Sequence, residues 1–122
     1  MASVRSLSPE ADVDASELEE IAQDVFRMVR RARATRESRI FTKRALQQIV
    51  QVIHDQSEEP VSPDLESLWE FSRQHSQPIL EATRPFSSFF NTNGLLPDEV
   101  SPWSLLAYLL VKGVESGAFR QN

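Results

Sequence analysis

The sequence contains no cysteine and only three glycines in 122 residues. Without cysteine there are no disulfides, no thiolate nucleophiles and no cysteine-based metal or iron–sulfur sites, and nothing indicates an oxidising compartment. The glycines, Gly94, Gly113 and Gly117, are not clustered, whereas phosphate-binding loops need clustered glycines so that backbone amides can approach the anion. These absences exclude P-loop and dinucleotide-binding proteins, and they make a cytoplasmic location the default expectation.

Long apolar runs are missing as well. The longest near-apolar run, Leu105 to Val111, is far too short to cross a bilayer. The first residues have no charged lead followed by an apolar run, so they predict neither a secretory signal nor a membrane anchor. With 40% hydrophobic and 25% charged residues, the composition is typical of one folded domain. We expect no membrane partner, a polar tail over residues 1–13 and a single helical domain over residues 14–122.

The apolar residues follow the helical period, and alternating β-branched runs are absent. Helix starts are predicted at the capping box of Ser16, at Thr42, at Ser62-Pro63 and at Ser101-Pro102, and the last helix should end at Gly117. A short helical piece is predicted near residues 79–83, and one helical turn near residues 86–90 within an otherwise irregular segment from residue 84 to 102. We therefore predict an all-α fold, an irregular bundle of four main helices plus one or two short ones, with the very apolar last helix at its centre.

Gly113 and Gly117 form a small-xxx-small pair in the last helix. Such a pair is typical of close helix contact. It predicts either a tight crossing inside the monomer with an ordinary C-terminal glycine, or the seam of a homodimer. The remaining polar strip of this helix is expected to face solvent, and it consists of Ser104, Tyr108, Lys112 and Glu115.

Side chains that could support catalysis are not arranged for it. His54 and His75 fall at the ends of predicted helices, where a cationic imidazole complements the exposed carbonyls, and neither has a second metal ligand at helical spacing. Adjacent acids such as Glu58-Glu59 point in different directions on a helix, and no serine is in a nucleophile-elbow or lysine-flanked pattern. We expect no enzymatic activity, no cofactor and no metal site.

The charges are segregated along the chain. Residues 10–24 hold seven acids and no base, whereas residues 27–44 hold eight of the thirteen basic residues and one acid. Arginines up to residue 33 suit the C-terminal end of the first helix, but cations at the start of the second helix oppose its dipole. That excess predicts a binding surface on a basic helix–turn–helix corner, formed by Arg30, Arg33, Arg36, Arg39, Lys43 and Arg44.

Two classes of partner carry the negative charge that such a basic corner would bind. We predict a small adaptor or regulatory protein that binds an acidic surface of another protein. The alternative is a nucleic-acid-associated protein whose arginines contact phosphates, although the net charge of −5 is unlike that of most such domains and stacking aromatics are scarce.

A second surface is formed by Phe86, Phe89 and Phe90, three phenylalanines within five residues. These side chains either fold over the core as a lid or stand out as a hydrophobic docking site. The sequence favours the lid, because an exposed cluster of aromatic rings is unusual in a monomeric protein.

Overall fold

The computed structural model describes residues 13–31, 35–93 and 101–120. Within these ranges the chain forms five α-helices and no β-strand, which confirms the all-α prediction. The helices are α1 (Ala15–Arg31), α2 (Thr35–Gln56), α3 (Leu65–Gln74), α4 (Ser76–Asn93) and α5 (Pro102–Ser116). The predicted tail lies outside the described residues except for Val13, which packs against the core.

Helix α5 occupies the centre of the fold, as its apolar sequence predicts. It packs against each of the other four helices, while α2 packs mainly against α4. Its ends are those expected: Ser101 Oγ accepts a hydrogen bond of 3.2 Å from the Ser104 amide, and Gly117 closes the helix with φ of 74°. Although α5 is so apolar, none of the helices in the described ranges is long and apolar enough to span a bilayer.

The polar strip predicted on α5 is only partly exposed. Ser104 and Tyr108 retain 0% and 4% of their accessible surface, because the side of α5 that carries Tyr108 is covered by α4. The Phe86 ring lies nearly parallel to the Tyr108 ring, with centroids 6.1 Å apart. Burial raises the pKa of Tyr108, and a hydrogen bond with the Thr42 side chain partly opposes that rise.

Helix α2 begins at Thr35 rather than at the predicted Thr42. Thr42 therefore lies inside the helix and is not its N-cap. The residues before it, including Arg36, Glu37 and Arg39, have good helix propensity, and packing of α2 on α4 and α5 supports the longer helix. The predicted turn between the first two helices is correspondingly shorter, with α1 ending at Arg31 and residues 32–34 outside the described ranges.

Helix α4 joins the two short pieces that the sequence predicts into one helix that continues through Pro85. Proline has no N–H, so the helical hydrogen bond to the carbonyl of Glu81 is missing. Burial compensates for this loss, since Ile79 and Phe86 on either side of it are both inaccessible to solvent. Tertiary packing has overridden the helix-breaking tendency of proline, and the predicted irregular segment is helical up to Asn93.

Helices α1 and α3 are capped by aspartates rather than by the serines that the sequence pattern suggests. Asp14 accepts a hydrogen bond of 2.9 Å from an amide of the first turn of α1, and Asp64 accepts one of 3.0 Å from the Ser67 amide in α3. Hydrogen bonds from the hydroxyls of Ser62 and Ser67, together with the Ser67 amide, lower the pKa of Asp64 to about 2. The ionised carboxylate is thus the form that caps α3.

Gly113 serves a contact within the monomer. A Cβ atom at this position would lie 2.7 Å from Cδ2 and 2.8 Å from Cζ of Phe119, so only glycine lets the Phe119 ring lie against α5. The chain reverses through a Schellman motif, with hydrogen bonds from Ala118 N to Gly113 O (2.9 Å) and from Gly117 N to Val114 O (3.3 Å). The glycine pair is explained by this C-terminal turn, and homodimerisation stays a prediction.

Candidate functional site

Exposed cations on the N-terminal half of α2 lack intramolecular partners. Arg39, Lys43 and Arg44 are exposed, and none of them forms an ion pair or a side-chain hydrogen bond with any described residue. Of the other described arginines, Arg27 pairs with Asp24 at 3.0 Å and Arg73 with Glu70 at 3.3 Å, whereas Arg84 and Arg120 are exposed and form no ion pair with a described residue. The charge on α2 is therefore free to meet an external group.

An apolar side chain lies among these cations. Ile40 keeps 46% of its accessible surface and is the exposed large hydrophobic residue among those described. Lys43 and Arg44 follow it at spacings of three and four residues, so they lie beside it on the helix surface, and Arg39 precedes it directly. We call these four residues the basic face of α2. The opposite side of the helix, which carries Ala45, Ile49 and Ile53, is buried in the core.

The basic face differs from the corner that the sequence predicts. Arg39, Lys43 and Arg44 lie on one continuous helix, not across a turn. The side chains of Arg30, Arg33 and Arg36, the other predicted binding residues, lie outside the described residues. The helix start at Thr35 also moves Lys43 and Arg44 away from the first turn, where the helix dipole acts. Lys43 and Arg44 are therefore not opposed by the dipole of α2. The evidence that they bind a partner is instead that neither forms an ion pair or a side-chain hydrogen bond with a described residue.

The sequence places Lys112 on the predicted solvent-facing strip of α5, but in the fold its ammonium group contacts aromatic rings. Its Nζ atom lies 4.4 Å from the centroid of the Phe26 ring and 5.8 Å from that of Tyr108. The contact with Phe26 connects α5 to α1, whereas the contact with Tyr108 lies within α5. Such cation–π contacts contribute about 0.5–2 kcal/mol, depending on their exposure. Lys112 therefore belongs to the packing of the helices.

A groove runs between α2 and α4, beside the basic face. It has a volume of about 220 Å³ and is lined by Arg44, Ala45, Gln48, Glu81, Ala82 and Pro85. The two alanines are buried and form its floor, whereas the other four residues are exposed and form its rim. Sequence reasoning could not find this groove, because its two walls come from helices that are far apart in the chain.

Phe86 is not available for docking. It is fully buried and packs on Tyr108, so its place is in the core rather than on a docking surface. The side chains of Phe89 and Phe90 lie outside the described residues. Of the three phenylalanines, Phe86 thus agrees with the interpretation as part of the core.

The histidines lie at helix ends, as the sequence predicts. His75 follows α3, stacks on Phe71 with ring centroids 4.2 Å apart and has Nδ1 3.2 Å from the Phe71 carbonyl oxygen. His54 is in the last turn of α2 and is exposed. Within the described ranges, no three potential metal-ligating side chains lie together.

Comparison with other proteins adds no further constraint on the site. The chain matches no protein-family model, no curated protein and no solved structure. The chemistry of the basic face and of the neighbouring groove is therefore the basis for assigning a function.

Proposed function

We propose that this protein is a non-catalytic adaptor or regulatory protein that binds an acidic surface of another protein through the basic face of α2. The observation that carries the proposal is the set of three exposed, unpaired cations around the exposed Ile40. A helix presents them with fixed spacing, so a partner meets a preorganised arrangement of charge.

Charge complementarity supports an acidic partner. Arginine is enriched in protein interfaces and is suited to bidentate pairing with carboxylates. Pairs at the edge of an interface contribute more to orientation and association rate than to affinity. The cations are thus expected to set specificity, while the apolar contact at Ile40 adds to affinity.

Ile40 favours a protein over a nucleic acid as the partner. A partly exposed isoleucine gains free energy when an apolar side chain covers it, and a phosphate backbone offers no such surface. Protein interfaces combine an apolar centre with a polar rim, which is the arrangement of the basic face. Nucleic-acid binding through the same cations is the competing function, and the experiment below decides between the two.

The test compares two variants of equal charge. Arg39→Glu/Lys43→Glu reverses two cations of the basic face, and Arg84→Glu/Arg120→Glu reverses two exposed, unpaired cations elsewhere on the described surface. Immobilised wild type and both variants are used to capture proteins from the source cells. The captured protein is identified by mass spectrometry, purified and titrated against each variant at low and moderate salt. We expect the basic-face variant to lose binding and the control to keep it.

Circular dichroism and thermal melting check that both variants remain folded, since exposed charge changes usually alter stability by less than about 0.5 kcal/mol. A labelled DNA duplex and a labelled single strand are titrated in parallel. Tight binding to either, with a steep salt dependence that the basic-face variant reduces, would replace the proposal by the nucleic-acid role. Equal capture of the purified partner by both variants would refute a role for the basic face.

A second copy of the chain is a further possible partner, because the start of α1 carries Glu17, Glu19 and Glu20. Sedimentation velocity over a range of concentrations tests this homodimer. A salt-sensitive dimer that the basic-face variant abolishes would identify the acidic partner as the protein itself.

A further inference from the structure

The groove between α2 and α4 exists because small residues face each other there. Ala45 and Ala82 have no side-chain atoms beyond Cβ, so the two helices leave a depression above them instead of filling the space. Both alanines are buried, and the surrounding rim residues are exposed, so the depression opens to solvent. Its floor is apolar and three of its four rim residues are polar, which suits a pocket for one anchoring side chain.

The size of the groove indicates what it can hold. Its volume of about 220 Å³ lies below the range of roughly 300–1,000 Å³ that is usual for small-molecule and cofactor sites. A single aliphatic side chain is a better match for this volume and for the alanine floor. We therefore consider a protein segment and not a free metabolite as the occupant.

The charges on the rim determine the orientation of an acidic partner. Arg44, which belongs to the basic face, lies on the α2 side of the groove, whereas Glu81 on the α4 side carries a negative charge. Carboxylates of the partner are attracted toward Arg44 and repelled by Glu81. The apolar side chain of the partner then faces the groove.

From these features we infer that the groove receives one aliphatic side chain of an acidic protein segment, whose carboxylates lie along the basic face. The inference rests on the proposed function, and it specifies the partner as an acidic segment with a single aliphatic anchor. Arg44 is the residue shared by the two surfaces.

Two fluorescein-labelled acidic peptides serve as probes. They are identical except for the central residue, which is leucine in one and asparagine, of similar shape, in the other. Fluorescence anisotropy at low salt is expected to show about tenfold tighter binding of the leucine peptide, since burial of a leucine side chain contributes an effect of at least this size.

Two tryptophan variants at neighbouring positions test whether the preference for the leucine peptide arises from the groove. Gln48→Trp fills the groove from its rim and should bring the two affinities together, while Gln47→Trp, on an exposed residue that does not line the groove, should leave the tenfold preference intact. Glu81→Gln removes the negative charge on the rim and should bind both peptides at least as tightly as the wild type.

The outcomes separate the two proposals. Equal affinity for both peptides in the wild type, with binding that Arg39→Glu/Lys43→Glu abolishes, would overturn the groove and leave the basic face as the binding surface. Loss of the leucine preference in Gln47→Trp as well as in Gln48→Trp would also overturn the groove. If neither peptide bound at low salt, the acidic-partner function itself would be refuted.

Discussion

Because Gly113 contacts Phe119, we predict that Gly113→Ala destabilises the wild type but stabilises a variant that lacks the Phe119 ring. Gly113→Ala places a methyl group against the Phe119 ring, 2.7 Å from Cδ2 and 2.8 Å from Cζ, with Cε2 closer still. The ring must leave its position, although it is only 8% exposed in the native fold. Losing that burial is worth about 1.5–3 kcal/mol, whereas alanine gains about 1 kcal/mol over glycine in a helix. The net expectation is a loss of about 1–2 kcal/mol.

Urea denaturation followed by circular dichroism measures the four proteins of a double-mutant cycle: the wild type, Gly113→Ala, Phe119→Ala and the double variant. Phe119→Ala alone should lower the free energy of unfolding by about 3 kcal/mol. In that background the clash is gone, so adding Gly113→Ala should stabilise the protein by about 1 kcal/mol. If Gly113→Ala stabilised the wild type by the same amount, the ring would not pack against Gly113 and the reasoning would fail.

Two further predictions concern helix caps. The pKa of Asp64 lies near 2, below the ordinary value of 3.8, so its contribution to stability is complete above the ordinary value and is lost as the pH falls through the lowered one. Asp64→Asn should therefore be less stable than the wild type at neutral pH and approach it near pH 2, as denaturant titrations across the pH range will show. Ser101→Ala removes the acceptor of the Ser104 amide and should lower the unfolding free energy by about 1 kcal/mol, while Ser101→Asp, which keeps an acceptor, should lose little in the same assay.

Local chemistry explains which parts of the fold can be predicted from the sequence. The ends of α5 are correct because a serine cap, a proline in the first turn and a glycine in the left-handed region act within a few residues of one another. The caps of α1 and α3 lie within two residues of the predicted positions, at aspartates that compete with nearby serines for the same role. Choosing between adjacent capping residues depends on the path of the incoming chain, which the sequence pattern does not contain.

Long-range packing explains the larger differences. The continuity of α4 through Pro85 depends on the burial of Phe86 against Tyr108 of α5, and no local rule anticipates that contact. The early start of α2 moves the basic residues from a turn to a helix face. In both cases the free energy of packing between distant segments outweighs a local preference of about 1–3 kcal/mol.

The sequence by itself determined that the fold is all-α, that α5 is its most apolar helix and that positive charge is concentrated between residues 27 and 44. These properties follow from the helical period of the apolar residues and from composition, and both can be read from short stretches of the chain. Only the tertiary structure decided that Lys112 is engaged, because its cation–π contact with Phe26 joins separate helices. The groove above Ala45 and Ala82 likewise exists only once α2 and α4 are packed together.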